Sequence, residues 1–136
     1  MMRPALHRNV TARLLAATLL SGAWAVALAQ ATDTPGLIEL GRLAEARAAA
    51  KVCPPTTVSA KDANQRFEQR FQAALTQARQ ELLKGRAGSQ PREVDAYLQR
   101  SIASVEAGAL QAKRQAGCQS PMLQALLKQH AQLASR

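Results

Sequence analysis

The chain has 136 residues, 18 lysines and arginines against 9 aspartates and glutamates, a formal net charge of +9, and a composition 47% hydrophobic but only 3% aromatic. That length suits one small domain, too short for a dinucleotide-binding or barrel enzyme, and the apolar pattern is too regular for a disordered chain. Two cysteines do not complete a four-ligand zinc site, and only two histidines are present to help them.

Residues 1–13 carry Arg3, Arg8 and Arg13 and no acid, and the apolar run of residues 14–29 closes on Ala27-Leu28-Ala29. A basic start, a short apolar middle and a small-residue exit are the parts of a secretory signal peptide. The run is shorter than the roughly 20 residues a spanning helix needs, and Thr18, Ser21 and Gly22 dilute it. Residues 1–29 are therefore expected to be a cleaved signal peptide, with the cut after Ala29 or after Ala31. Leu20-Ser21-Gly22-Ala23 has the outline of a lipobox, but Ala23 stands where the lipid-bearing cysteine belongs. Loss of residues 1–29 leaves 107 residues and, with three arginines gone, 15 bases against 9 acids, a charge of +6. Both cysteines remain, and an even pair in an exported chain reads as a disulfide. The expected location is the periplasm.

Residues 30–136 read as a single all-α domain. Four segments show helical periodicity and none shows strand alternation. The first opens at Thr34-Pro35, a capping side chain followed by the proline favoured at the first helical position. It carries Leu37, Leu40, Leu43, Ala44 and Arg47 on one side and must stop before Cys53-Pro54-Pro55. The second begins with a capping-box pattern at Ser59-Ala60-Lys61-Asp62. Its stripe is Ala63, Phe67, Phe71, Ala74, Leu75, Ala78 and Leu82, and Lys84-Gly85 is expected to end it with a left-handed glycine. The third starts at Pro91 and presents Val94, Leu98, Ser101, Ile102, Val105, Ala109, Ala112 and Ala116 before Gly117. Ser120-Pro121 caps and starts the fourth, with Leu123, Leu126, Leu127, His130, Leu133 and Ala134.

Cys53 precedes the second helix and Cys118 follows the third, with a midpoint between residues 85 and 86, inside the turn that joins them. A long antiparallel hairpin of these two helices would bring both thiols to its open end, so the expected fold is a small disulfide-stapled helical bundle built on that hairpin. The first and fourth helices are shorter and are expected near the stapled end.

Catalytic constellations are missing. His130 has no histidine at the next helical turn, so no two-histidine metal site forms there, and its apolar neighbours suit a half-buried structural histidine. Glu93 and Asp95, two positions apart, point about 200° from one another on a helix. Glu106 is explained as a solvated charge. Cys53 and Cys118 are too far apart for a redox C-x-x-C pair. The expectation is a non-enzyme without cofactor or metal. The bases are spread along the chain and both phenylalanines fall on the core stripe, which does not suit nucleic-acid binding. An exported binding protein acting by contact with another envelope protein fits best, as inhibitor, immunity factor, chaperone or secretion accessory. Peripheral binding to anionic envelope lipid through the basic surface is the alternative. The candidate contact is the hairpin tip, with Lys84, Arg86 and Arg92.

Overall fold

The computed structural model describes residues 34–85 and 90–136. The signal-peptide segment, both cleavage positions and the turn residues Arg86, Gly88 and Ser89 lie outside the described residues. The described chain is all-α, with helices α1 (Pro35–Val52), α2 (Val58–Gly85), α3 (Pro91–Ala116) and α4 (Pro121–Ala134). A single 3-10 turn, Gly117–Gln119, separates α3 from α4.

The starts and stops follow local chemistry in most places. The Thr34 hydroxyl accepts the Leu37 N–H and Pro35 takes the first turn of α1, which ends at Val52 before the two prolines. Pro91 and Pro121 likewise sit in the first turns of α3 and α4. Gly117, at φ 67°, ends α3 in a conformation that side-chain-bearing residues resist. Three caps differ from expectation. Helix α2 starts at Val58, which puts Ser59 inside the helix rather than at its cap. Gly85 is the last residue of α2 and does not adopt a positive φ. The Ser120 side chain is buried and makes no capping bond; the turn is closed instead by Gln124, whose amide donates to the Cys118 carbonyl at 2.6 Å.

The larger correction concerns α1. Instead of packing only near the stapled end, it is the central helix and touches all three others, and α2 and α3 meet each other less extensively than each meets α1. Its N-terminus reaches Glu81 near the far end of α2, where the Gly36 N–H donates to the Glu81 carboxylate at 2.9 Å. Leu37, Leu40, Leu43 and Ala44 are buried as the stripe requires, and Ala46, Ala48, Ala49 and Ala50 are buried as well. A helix buried on almost every side is a core element, and alanines let the neighbouring backbones close in.

The main core joins Leu40 and Leu43 to Phe67, Phe71, Leu82, Leu98 and Leu133. A second cluster at the stapled end joins Ala48, Ala49, Cys53 and Ala109 to Leu123. Along α3 burial fades from Ala109 through half-buried Ala112 to exposed Ala116. Here small residues supply little transfer free energy, and the Cys53–Cys118 disulfide, with Cα atoms 5.9 Å apart, ties the ends of α1 and α3 together.

Candidate functional site: the charged surface and a cleft at the stapled end

Most of the carboxylates are engaged between helices. Arg47 of α1 donates through Nε to both oxygens of Glu68 on α2, at 2.8 and 3.0 Å, and reaches Glu106 of α3 through Nη1 at 3.5 Å. Its guanidinium also lies 4.4 Å from the centre of the Phe71 ring. Lys51 adds a 2.6 Å bond to Glu106. Glu106 is therefore a clamp between α1 and α3, not a merely solvated charge. Arg70 joins α2 to Glu39 of α1 at 2.9 Å, and Arg79 joins α2 to Asp95 of α3 at 2.5 Å. Glu81 works differently, accepting the Gly36 N–H in the first turn of α1. Hydrogen bonds from Gln77 first, then from Thr34 and Gly36, hold its carboxyl below the usual carboxylate range.

Glu45, Asp62 and Glu93 are exposed and enter no ion pair among the described residues, but exposed unpaired cations outnumber them. Lys84 and Arg92 are exposed and enter no ion pair among the described residues; the same holds for Arg100, Lys113, Arg114 and Lys128. Of the three expected tip residues, Lys84 and Arg92 are thus placed on the surface, while Arg86 is outside the described residues. Beyond Glu106 the chain holds no acid at all. Leu110 and Met122 are 41% and 50% exposed in that same region.

His130 is more deeply placed than a half-buried surface histidine: it is 6% exposed, with its ring centre 4.0 Å from that of Phe67. Burial pushes the imidazole below its ordinary value, against a smaller opposing pull from Glu68. Its Nε2 is enclosed and has no hydrogen-bond partner among the described residues. The ring lines a cleft of about 440 Å³ formed where the α1–α2 connection, the first turns of α2 and the end of α4 meet. Among the described residues no group of three His, Cys, Asp or Glu side chains is placed to hold a metal ion, and no helix is long and apolar enough to cross a membrane.

The chain matches no family model, no curated protein and no solved structure. Its function is therefore argued from the arrangement of its own residues. Neither the inter-helix clamps nor the cleft was legible beforehand, because both depend on residues far apart in the chain; Arg47 and Glu106 are separated by 59 positions.

Proposed function

We propose that this is an exported, non-catalytic helical binding protein that acts by protein–protein contact in the periplasm, as an inhibitor, immunity factor, chaperone or secretion accessory, on a partner with an acidic face. The observation that carries this reading is the division of charge: Glu39, Glu68, Asp95 and Glu106 are engaged in contacts between helices, so that Lys84, Arg92 and the bases of α3 and α4 stand exposed without an ion pair among the described residues and outnumber the exposed acids, Glu93 among them. Such a surface attracts and orients an acidic partner. The basic leader followed by an apolar run supports export, and a disulfide is compatible with an oxidising compartment.

The finer architecture belongs to the same proposal. Helices α2 and α3 run as a long antiparallel hairpin, supported by the Arg79–Asp95 pair beside the connection of residues 86–89 and by the disulfide at the opposite end. Its tip, with Lys84, Arg86 and Arg92, is the contact site. A second reading, peripheral binding to anionic lipid, is favoured by one feature: the acid-free stretch after Glu106, with Lys113, Arg114, Lys128 and Arg136 and the exposed Leu110 and Met122.

Affinity capture from periplasmic extract, with the disulfide-bonded protein as bait, run beside flotation with anionic vesicles, tests both. Raising salt from about 0.15 M to about 1 M shortens the screening length from about 8 Å to about 3 Å. Both charge-driven contacts weaken under this change, so the readings are separated by whether the protein at about 0.15 M salt is retained on a protein partner or floats with anionic and not with neutral vesicles. Replacing Lys84, Arg86 and Arg92 together with serine leaves the fold intact and weakens capture at low salt; undiminished capture removes the tip as the site.

A further inference from the structure

Helix α4 is attached differently from the other three. Among the described residues the ion pairs lie within α1 or between α1, α2 and α3, and α4 contributes to none of them. Arg66 of α2 ties its far end by a 3.1 Å bond from Nε to the Ala134 carbonyl. Otherwise an apolar stripe docks it. Leu123 is buried with Ala48, Ala49 and Cys53 at the stapled end, and Leu133 and Ala134 join the main core with Ala46 and Phe67. His130 interrupts that stripe between Leu127 and Leu133, its ring 4.0 Å from Phe67 and its Nε2 enclosed without a partner among the described residues. A protonated imidazole donates from both nitrogens. Here one charged donor would be buried with no acceptor, which costs more than an unpaired neutral atom. The surrounding charges do not offset this. Arg66 lines the same cleft as His130 and repels a cation, as does Lys128 on α4 itself. Glu68 of α2 attracts one, but both of its oxygens accept from Arg47 of α1. Glu106 of α3 is held by Arg47 and Lys51, and residues 53–57 carry no charge. Burial accordingly outweighs the pull of Glu68 on the imidazole.

We infer that α4 is a hinged cover released by acid: protonation of His130 favours a state in which α4 swings away about Cys118 while α1, α2 and α3 stay assembled. The inference goes beyond the binding reading above and does not depend on it. Parts of a fold with few ties open on their own, ahead of the whole. Helix α4 is the last element, so it leaves without unthreading the others. Its start stays tethered, because Cys118 remains bonded to Cys53. The clamps made by Arg47, Lys51, Arg70 and Arg79 are untouched by its departure. Opening bares Phe67 and the alanines of α1 that α4 covers, so acidification turns an inner apolar face outward.

The test is amide hydrogen exchange on the 15N-labelled, disulfide-bonded protein at about pH 7.5 and about pH 5.5, each rate being divided by that of an unstructured chain at the same pH. The α4 amides from Leu126 to Leu133 are less protected than those of Leu40 and Leu43 in α1 at both pH values. Their protection falls by up to about tenfold at the lower pH, the ceiling set by an open-state imidazole that titrates near its ordinary 6.5. Equal protection in α4 and α1 means that α4 leaves only with the whole fold, and overturns the inference. Identical α4 protection at the two pH values also overturns it. His130→Leu abolishes the fall, and a fall of the same size in that variant sinks the role of His130. Glu45 of α1 does not mimic the effect: burial raises its carboxyl, so it holds a proton more tightly in the folded state and acts in the opposite sense. Leu133→Ala, which trims an apolar anchor and leaves the imidazole in place, lowers α4 protection at both pH values; unchanged protection there refutes the account of what docks the helix.

Discussion

At the scale of single residues, two positions are held by constraints that composition hides. A Cβ on Gly36 would lie 2.5 Å from Glu81 Oε2 and 3.1 Å from the Ala78 backbone nitrogen. Alanine is intrinsically the better helix former by about 1 kcal/mol, yet Gly36→Ala is expected to destabilise by about 1–2 kcal/mol, because overpacking and loss of the Glu81 bond outweigh propensity. Urea unfolding of Gly36→Ala, and of the same change combined with Glu81→Ala, measures this; the second substitution recovers part of the loss by removing the carboxylate. His130 carries the other constraint. Its imidazole is pushed below its ordinary 6.5 in the folded chain. The unfolded chain therefore takes up the proton first as pH falls, so the contribution of His130 is complete above about 6.5 and is lost as pH drops toward the lower folded-state value. Urea midpoints between about pH 7.5 and 5.5, above the range where ordinary carboxylates titrate, should fall with pH in the native protein. They should stay nearly level in His130→Leu, which also removes the orphan Nε2.

At the scale of elements, α1 decides the fold. Its leucine stripe was readable from spacing, and so were the buried Phe67, Phe71, Leu82, Val94 and Leu98 on the stripes of α2 and α3. The run Ala48-Ala49-Ala50 was not, since alanine is equally at home on a solvated face and in a close helix crossing. For the same reason the stripe of α3 ran on to Ala116, which is exposed. Arg47 lies on the leucine stripe of α1, and what it does there depends on Glu68 and Glu106, 21 and 59 positions away. Arg47→Met keeps the stem but removes the fork that joins three helices and the contact with Phe71. Glu68 and Glu106 are each about a third exposed, so water recovers part of their solvation. The expected cost is about 1–3 kcal/mol by chemical denaturation. Arg47→Lys is expected to recover less than half of it, because a single ammonium cannot reproduce a rigid planar group that meets Glu68 through Nε and Glu106 through Nη1.

At the scale of the whole molecule, the all-α class and the Cys53–Cys118 bridge were both legible, the second because the two cysteines stand symmetrically about one turn. The cleft was not: it forms where the Pro54-Pro55 connection, the start of α2 and the end of α4 converge, and no local pattern encodes that meeting. The bridge spans 65 positions, and closing a loop of this size restricts the unfolded chain by about 4 kcal/mol in the chain-entropy model. Cys53→Ala combined with Cys118→Ala should lower the unfolding free energy by up to that amount, and the reduced native protein should approach the double variant in urea titrations. The bridge also makes α2 and α3 members of one covalent ring. A protease that severs any single peptide bond between Cys53 and Cys118 opens that ring without releasing a fragment: the two pieces stay joined through sulfur, and α1 and α4, outside the ring in sequence, each remain attached to one of them. In an environment rich in proteases, a first cut therefore yields a nicked molecule of unchanged helix complement that separates into two chains only when a reductant reaches it.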